Sequence, residues 1–532
     1  MLEKYLGEFS ILQNHFAYVI VLYGFEIMNP TNSREISFLL LYSPQRQDSR
    51  FGAVKPEGSL GLIYLAGALR DHGFNVRVLD CSVGDYSHDL QNTFFRQVML
   101  PNGMIRVGLS VDEIVRIAKD HNVIGISSIF TAQTTMVTEV VRAIRETYPE
   151  KLIVTGGVNA RSQQELFFSA GVDLICLSEA EKTIVEIGNT LRKGSRDFSS
   201  IHGVAFKRDG EVCIKPNRYV EQDLDRLPIP AWDLLPLRKY WKIARPHGGG
   251  FSAEKPVAYA PLMTSRGCPF ECSFCHIGLE GDGSDSGNIR SLRIKSLDRV
   301  MQEMDILTGL EVKHFFLEDD SLLGRKRRAM DIFRRIIDLK VKLSGVNGIN
   351  IAHMCKPEGG RWVVDKELLE LMAQAGFTKF MLPVESGSQR IIDKYATGKL
   401  NLERHDIVGI IKESQGLGIE VGGNYTFGYP DETLDEVHET FELARQHMSV
   451  GLSNANFMII TPFPGTAYYD MVVREGLFLP GVKIDELDWT KVSIRTTVPK
   501  STLEDMITNG WESVNKPERV RRVRSMAPAA AA

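Results

Sequence analysis

A chain of 532 residues is too long for one hydrophobic core, and two or three domains are expected. A hydrophobic share of 43% and a formal net charge of -4 describe a globular protein with no excess of positive charge to hold a nucleic acid. Seven cysteines, an odd number with no secretory leader ahead of them, argue against a disulfide framework and for a reducing compartment, the cytoplasm.

The apolar stretch Ile11–Met28 is interrupted by Gln13, Asn14, His15 and Glu26 and falls short of the ~20 residues that span a membrane. Residues 1–35 are therefore read as an N-terminal extension packed on the body, and no membrane association is expected. From residue 36 to 200, short β-rich apolar runs alternate with longer amphipathic ones. Strands are expected at Ile36–Leu41, Asn75–Leu79, Val123–Ser127, Leu152–Thr155 and Leu174–Leu177. Helices are expected at Leu60–His72, Val111–Asp120, Thr135–Thr147, Gln163–Ala170 and Glu181–Lys193. Strands that are apolar throughout and separated by helices imply a parallel sheet covered on both faces. That is a doubly wound, Rossmann-like α/β domain, which binds ligands at the C-terminal ends of its strands.

Residues 201–250 read as a linker, with a hairpin signal at Asp209–Gly210 and a proline-punctuated run Leu227–Trp232. A second alternation occupies 251–467. Its strands are expected at Tyr259–Thr264, Lys313–Leu317, Gly345–Ile351, Lys379–Leu382, Glu420–Phe427 and Ala455–Ile460. Six β/α units point to a partial (β/α)6 TIM-like barrel, open on one side, with its chemistry on the loops after the strands. Residues 468–532 form a C-terminal cap and tail.

The loop after the first barrel strand reads Thr264-Ser-Arg-Gly-Cys268-Pro-Phe-Glu-Cys272-Ser-Phe-Cys275, a C-x3-C-x2-C arrangement. A structural zinc or an ordinary iron–sulfur cluster takes four ligands. His276 adjoins Cys275 and is badly placed as a fourth, and no second cysteine pair follows. Three thiolates on a [4Fe–4S] cubane leave one iron open to another ligand. Cys81, Cys176, Cys213 and Cys355 are isolated and read as small buried apolar residues.

The cysteine loop resembles that of the radical S-adenosylmethionine (SAM) superfamily, including the aromatic Phe274 before the third cysteine. The resemblance implies that Cys268, Cys272 and Cys275 bind the cluster and that the open iron chelates SAM. It also implies SAM contacts for Phe274, for Glu318 and Asp319 after the second barrel strand, and for Glu385 and Ser386 after the fourth, Glu385 being read as the ribose partner. Asp320 is explained as the N-cap of the next helix. Gly428-Tyr-Pro-Asp-Glu-Thr433 matches the superfamily's glycine–proline–acid turn and is equally a helix start.

A doubly wound domain directly before such a barrel resembles the cobalamin domain of B12-dependent radical SAM methyltransferases. The landmarks are Lys55–Gly61, Gly125–Phe130, Thr155–Asn159 and Ser178–Glu181. Pro56, Gly58, Ser127, Ser128, Ile129, Gly156, Gly157, Val158 and Glu179 are the implied cobalamin contacts. Tight βα turns in any such fold require glycines too. Asp-x-His-x-x-Gly does not occur, so a bound cobalamin is expected to have no protein histidine on cobalt. The family's Gly-Gly-x-His and Gly-Glu-x-Glu are here Gly156-Gly-Val-Asn159 and Ser178-Glu-Ala-Glu181. Within the family the chain looks most like members that methylate a hydroxyethylphosphonate.

The resemblance implies transfer of a methyl group to an unactivated carbon of a natural-product or phosphonate-like small molecule by way of a 5′-deoxyadenosyl radical. The implied cofactors are a [4Fe–4S] cluster, SAM and cobalamin, with an external one-electron reductant. The residues leave other outcomes open: cyclisation, ring contraction or carbon–carbon coupling, a radical SAM enzyme without cobalamin, or a non-catalytic sensor. No catalytic side chain, substrate or oligomeric state is assigned.

Overall fold

The computed structural model describes residues 35–48, 59–100, 103–243 and 257–520. The N-terminal extension, Pro56, Gly58 and the tail beyond residue 520 lie outside the described residues. In the first domain the strands are β1 (Ser37–Tyr42), β2 (Asn75–Asp80), β3 (Val123–Ser127), β4 (Leu152–Gly156), β5 (Leu174–Cys176), β6 (Val204–Arg208) and β7 (Glu211–Lys215). They lie in the order β7-β6-β5-β4-β3-β1-β2. The strands β1 to β5 are parallel, in register from Phe38 opposite Val76 and Val123 onward. Leu39, Leu41, Ile124 and Ile153 are fully buried because helices cover both faces. These helices are α1 (Leu60–Asp71), α2 (Val111–Ala118), α3 (Thr134–Thr147), α4 (Val158–Ser162), α5 (Gln164–Ala170) and α6 (Glu181–Arg192).

Two expectations change. The hairpin is the antiparallel edge of this same sheet, with β6 paired to β5, so the sheet runs on past residue 200. It covers what would otherwise be an open edge at β5. The proline run after it is not a loose linker either. Trp232 is buried, and Ala231 N donates to Ile63 O on α1 at 2.9 Å. A three-stranded sheet of Gln45–Asp48, Met104–Val107 and Gln97–Met99 was not anticipated.

The barrel strands are β8 (Tyr259–Leu262), β9 (His314–Leu317), β10 (Lys342–Gly345), β11 (Phe377–Glu385), β12 (Glu420–Phe427) and β13 (Asn454–Ile459), adjacent in chain order and all parallel. Around them stand α7 (Leu297–Gly309), α8 (Lys326–Ile336), α9 (Lys366–Gln374), α10 (Gln389–Tyr395), α11 (Ile407–Gly416), α12 (Leu434–Ser449), α13 (Ala467–Arg474) and α14 (Lys500–Val514). The third strand ends where it was expected to begin, since Asn350 caps a short 3-10 turn after Gly345. The two edges are closed by side chains. Trp241 Nε1 donates to Tyr259 O at 2.7 Å, and the Asn515 amide bonds both backbone groups of Ala455, at 3.0 and 2.9 Å. One apolar core runs from Phe38 and Leu69 through Trp232 and Tyr240 to Tyr259 and Phe316, joining the two domains. No helix among the described residues is long and apolar enough to cross a membrane.

Candidate functional site

The cysteine loop leaves β8 and is fixed by backbone contacts before any side chain acts. Gly267 has φ +90°, and a Cβ there would stand 2.4 Å from Ser291 O. The close approach lets Cys268 N donate to Arg290 O at 3.0 Å. Ser273 N donates to Tyr395 O and Tyr468 N to Ser273 O, both at 2.8 Å. Cys272 is buried, Cys268 and Cys275 partly so, and all three are free thiols. Burial pushes each thiol up, Cys275 to about 12, so each is protonated until a metal takes the place of the proton. Among the described residues no three His, Cys, Asp or Glu side chains gather closely enough to hold a single ion. A cubane asks for less, since each thiolate binds a different iron.

A cavity of about 360 Å³ lies between the domains, walled by Ser127, Ile129, Gly156, Gly157, Val158 and Glu179 on one side and by Gly267, His276, Ile277 and Asp320 on the other. The first set comes from the C-terminal ends of β3, β4 and β5, where a doubly wound sheet binds ligands. Gly157 has φ +101°, and a Cβ would lie 2.4 Å from Ser128 O, so the chain passes here only as glycine. Ser128 itself is buried and accepts from Asn159 Nδ2 at 2.8 Å, so it supports the turn from behind. The glycine-rich, largely apolar wall suits a large flat ligand such as a corrin. His276 is the histidine in that wall, and burial and the Arg161 guanidinium bring it down to about 4.

Charged groups seam the wall. Arg266 pairs with Glu179 at 3.0 Å and Glu181 at 2.7 Å, with its guanidinium 4.6 Å from the ring centre of Tyr64. Arg293 grips both oxygens of Glu179, at 2.8 and 2.6 Å. Burial alone would raise the Glu179 pKa, but Arg266 and Arg293 bring it below the usual value. Arg161 of α4 pairs with Glu280 beyond the third cysteine. Glu179 thus faces the cavity with its carboxylate already committed to arginines.

The acidic segment after β9 divides differently from expectation. Asp319 is buried and accepts from Thr264 N, Thr264 Oγ1 at 2.7 Å and Ser265 Oγ at 2.5 Å, pinning the root of the cysteine loop. Its oxygens are spent within the protein, because the chain enters the loop directly beneath it. Asp320 caps no helix, since α8 begins six residues later at Lys326; it lines the cavity, and its Oδ2 accepts from Gly267 N at 3.3 Å. The surrounding protein pushes its carboxyl up to about 6, with Asp319 and Glu179 adding to the rise. The Glu318 carbonyl accepts from Asn347 at 2.8 Å.

At the end of β11 the strand bulges and Glu385 adopts φ +68°, which costs a non-glycine residue about 1–3 kcal/mol. Its carboxylate accepts from Lys399 Nζ at 2.5 Å and from Thr426 Oγ1 at 3.0 Å. Ser386 is fully buried, and its Oγ bonds Thr440 of α12 at 3.3 Å. Phe274 packs on the core beneath Lys399, whose Nζ is 5.9 Å from the ring centre. Sequence reasoning missed Tyr64, Arg161, Arg266, Asp320 and Lys399. Arg266, inside the cysteine motif, and Asp320, next to Glu318 and Asp319, stood in segments already marked for function.

A B12-binding domain is recognised over residues 55–188 and a radical SAM superfamily domain over residues 262–444. Cytidylyl-2-hydroxyethylphosphonate methyltransferase from Streptomyces wedmorensis is 27% identical over 482 residues, covering 84% of each chain. An uncharacterized methyltransferase from Pyrococcus horikoshii is 27% identical over 446 residues, covering 83% of each. The fold is shared with OxsB, a cobalamin-dependent SAM radical enzyme solved with aqua-cobalamin and SAM (TM-score 0.65, 17% identity, 89% of this chain and 66% of that one). It is shared too with the radical SAM methyltransferase TsrM from Kitasatospora setae, solved with cobalamin and a [4Fe–4S] cluster (TM-score 0.60, 16% identity, 85% and 80%).

Proposed function

We propose that this chain, which joins a B12-binding domain to a radical SAM domain, is a cobalamin-dependent radical SAM methyltransferase acting on an unactivated carbon of a small molecule. The observation that carries the reading is one shared wall: the loop bearing Cys268, Cys272 and Cys275 and the glycine turns of the doubly wound sheet border the same cavity. When bound, the cluster and SAM supply a 5′-deoxyadenosyl radical that abstracts hydrogen from carbon, and cobalamin supplies the methyl group.

The chain's own part is to place and shield. Cys268, Cys272 and Cys275 hold the cluster and leave one iron for SAM. Asp320 faces the cavity beside the cysteine loop and is suited to an ammonium group, and Glu385 to ribose hydroxyls. Gly156, Gly157, Val158 and Ile129 offer a flat surface to a corrin. Arg266, Arg293 and Arg161 close the seam between the domains, which keeps water from a reactive intermediate. A phosphonate-like substrate is supported by the Streptomyces wedmorensis relative alone. The electron comes from an external one-electron donor, and the free cysteines suit a reducing cytoplasm.

Anaerobic reconstitution with iron, sulfide and hydroxocobalamin tests the reading. About four irons and one corrin per chain are expected, with 5′-deoxyadenosine formed by the wild type and none by Cys272→Ala. Four irons without corrin would remove cobalamin from the proposal. Deoxyadenosine from the Cys272→Ala protein would remove the radical SAM assignment as well.

A further inference from the structure

Lys399 lies in the turn after α10, outside every segment marked by a motif. Its side chain is 14% exposed, and its ammonium donates to the Glu385 carboxylate, itself 8% exposed. The same ammonium stands 5.9 Å from the ring centre of Phe274, the residue directly before Cys275. Burial would favour the neutral amine, but the Glu385 carboxylate holds the charge in place. A fixed ammonium therefore stands beside the ring of Phe274, one residue from Cys275, with its counter-charge on Glu385 at the end of β11.

We propose that Lys399 is a positioning residue that sets the reduction potential of the cluster on Cys268, Cys272 and Cys275, with Glu385 holding its ammonium in place. The inference rests on the radical SAM reading above. Reduction adds one electron, from the external donor, to a group already carrying three thiolates, and moves no proton at Lys399. A nearby cation in a dry wall stabilises the more negative state. Glu385 limits the effect, because its carboxylate offsets part of the charge of the ammonium it holds in place. The pairing also gives the segment after β11 two duties, one toward SAM and one toward the cluster.

The test is an anaerobic redox titration of the reconstituted full chain, followed by the EPR signal of the reduced cluster, without SAM. Lys399→Gln is expected to disfavour reduction about tenfold, a fall of 59 mV for a one-electron couple. Lys399→Arg is expected to restore the wild-type potential. Glu385→Gln, which leaves the ammonium without its counter-charge, is expected to move the potential the opposite way. A purely structural role would move both single variants in the same direction or neither. Should Lys399→Gln prevent cluster assembly, the double variant Lys399→Gln/Glu385→Gln removes both charges without leaving one buried alone, and its potential is expected to lie below that of Glu385→Gln. Potentials equal within error across the set overturn the proposal while leaving the cluster intact. A wild type that assembles no cluster overturns the radical SAM reading instead.

Discussion

Adjacent residues with the same carboxylate do different work here. Asp319 satisfies Thr264 N, Thr264 Oγ1 and Ser265 Oγ at once, so Asp319→Ala leaves several buried donors without an acceptor. We expect a loss of about 3 kcal/mol in urea unfolding. Asp320 faces the cavity and holds one backbone N–H at 3.3 Å, so Asp320→Asn is expected to change stability by less than about 0.5 kcal/mol while weakening SAM binding in calorimetry. Equal stability losses in the two variants would sink that division. Glu432 gives a pH signature. It is 1% exposed, burial raises its carboxyl to about 8, and Gly428 N donates to it at 2.7 Å. The folded state keeps its proton where the unfolded chain has released it. Its stabilisation is therefore full below about pH 4.5 and is lost as pH rises toward 8, by up to about 1.4 kcal/mol per pH unit. Glu432→Gln is expected to flatten the fall in urea midpoint over that window; a slope unchanged from wild type would place the proton elsewhere.

At the scale of elements, the turn Gly428–Thr433 is both a helix start and a brace. Thr433 and Glu436 form a reciprocal capping box on α12, and Glu436 also accepts from Ser388 Oγ at 2.7 Å and from Arg390 at 2.8 Å. Thr433→Ala is expected to cost about 1 kcal/mol, read as a lowered urea midpoint with unchanged slope. This start was legible because capping is written in neighbouring residues. The same holds for the parallel strands, whose unbroken apolar runs betray burial on both faces. What the sequence hid depends on distant partners. Gln45 pairs with Val107, and β6 joins β5 across a helix, and nothing local states either match. The three cysteines proposed to hold the cluster were marked by their spacing. Lys399 was not, since its meaning comes from the fold bringing it to Glu385 and Phe274.

On the scale of the whole molecule, the two domains are held by a charged seam as well as by a shared core. Lys295 donates to Tyr64 Oη on α1 at 2.7 Å, Lys295 and Arg299 both pair with Glu303, and Arg266 reaches Glu179 and Glu181. Charges buried this deeply contribute little net attraction, because desolvation offsets most of the Coulomb gain. Their removal one at a time is another matter. Arg266→Met leaves Glu181 in a closed wall with its cation gone, and a loss of about 3–5 kcal/mol is expected. Arg266→Met with Glu181→Leu removes both ends and is expected to recover most of it, a coupling that a double-mutant cycle in urea measures directly. The seam then acts as a specification of how the domains meet: correct pairing costs little, and any mismatch costs much. That is what a cavity shared by two domains requires, because its two walls must keep one alignment if a corrin and SAM are to face each other. Additive losses in the cycle would show that Arg266 acts through Tyr64 and packing alone, and the alignment would have to come from the apolar core.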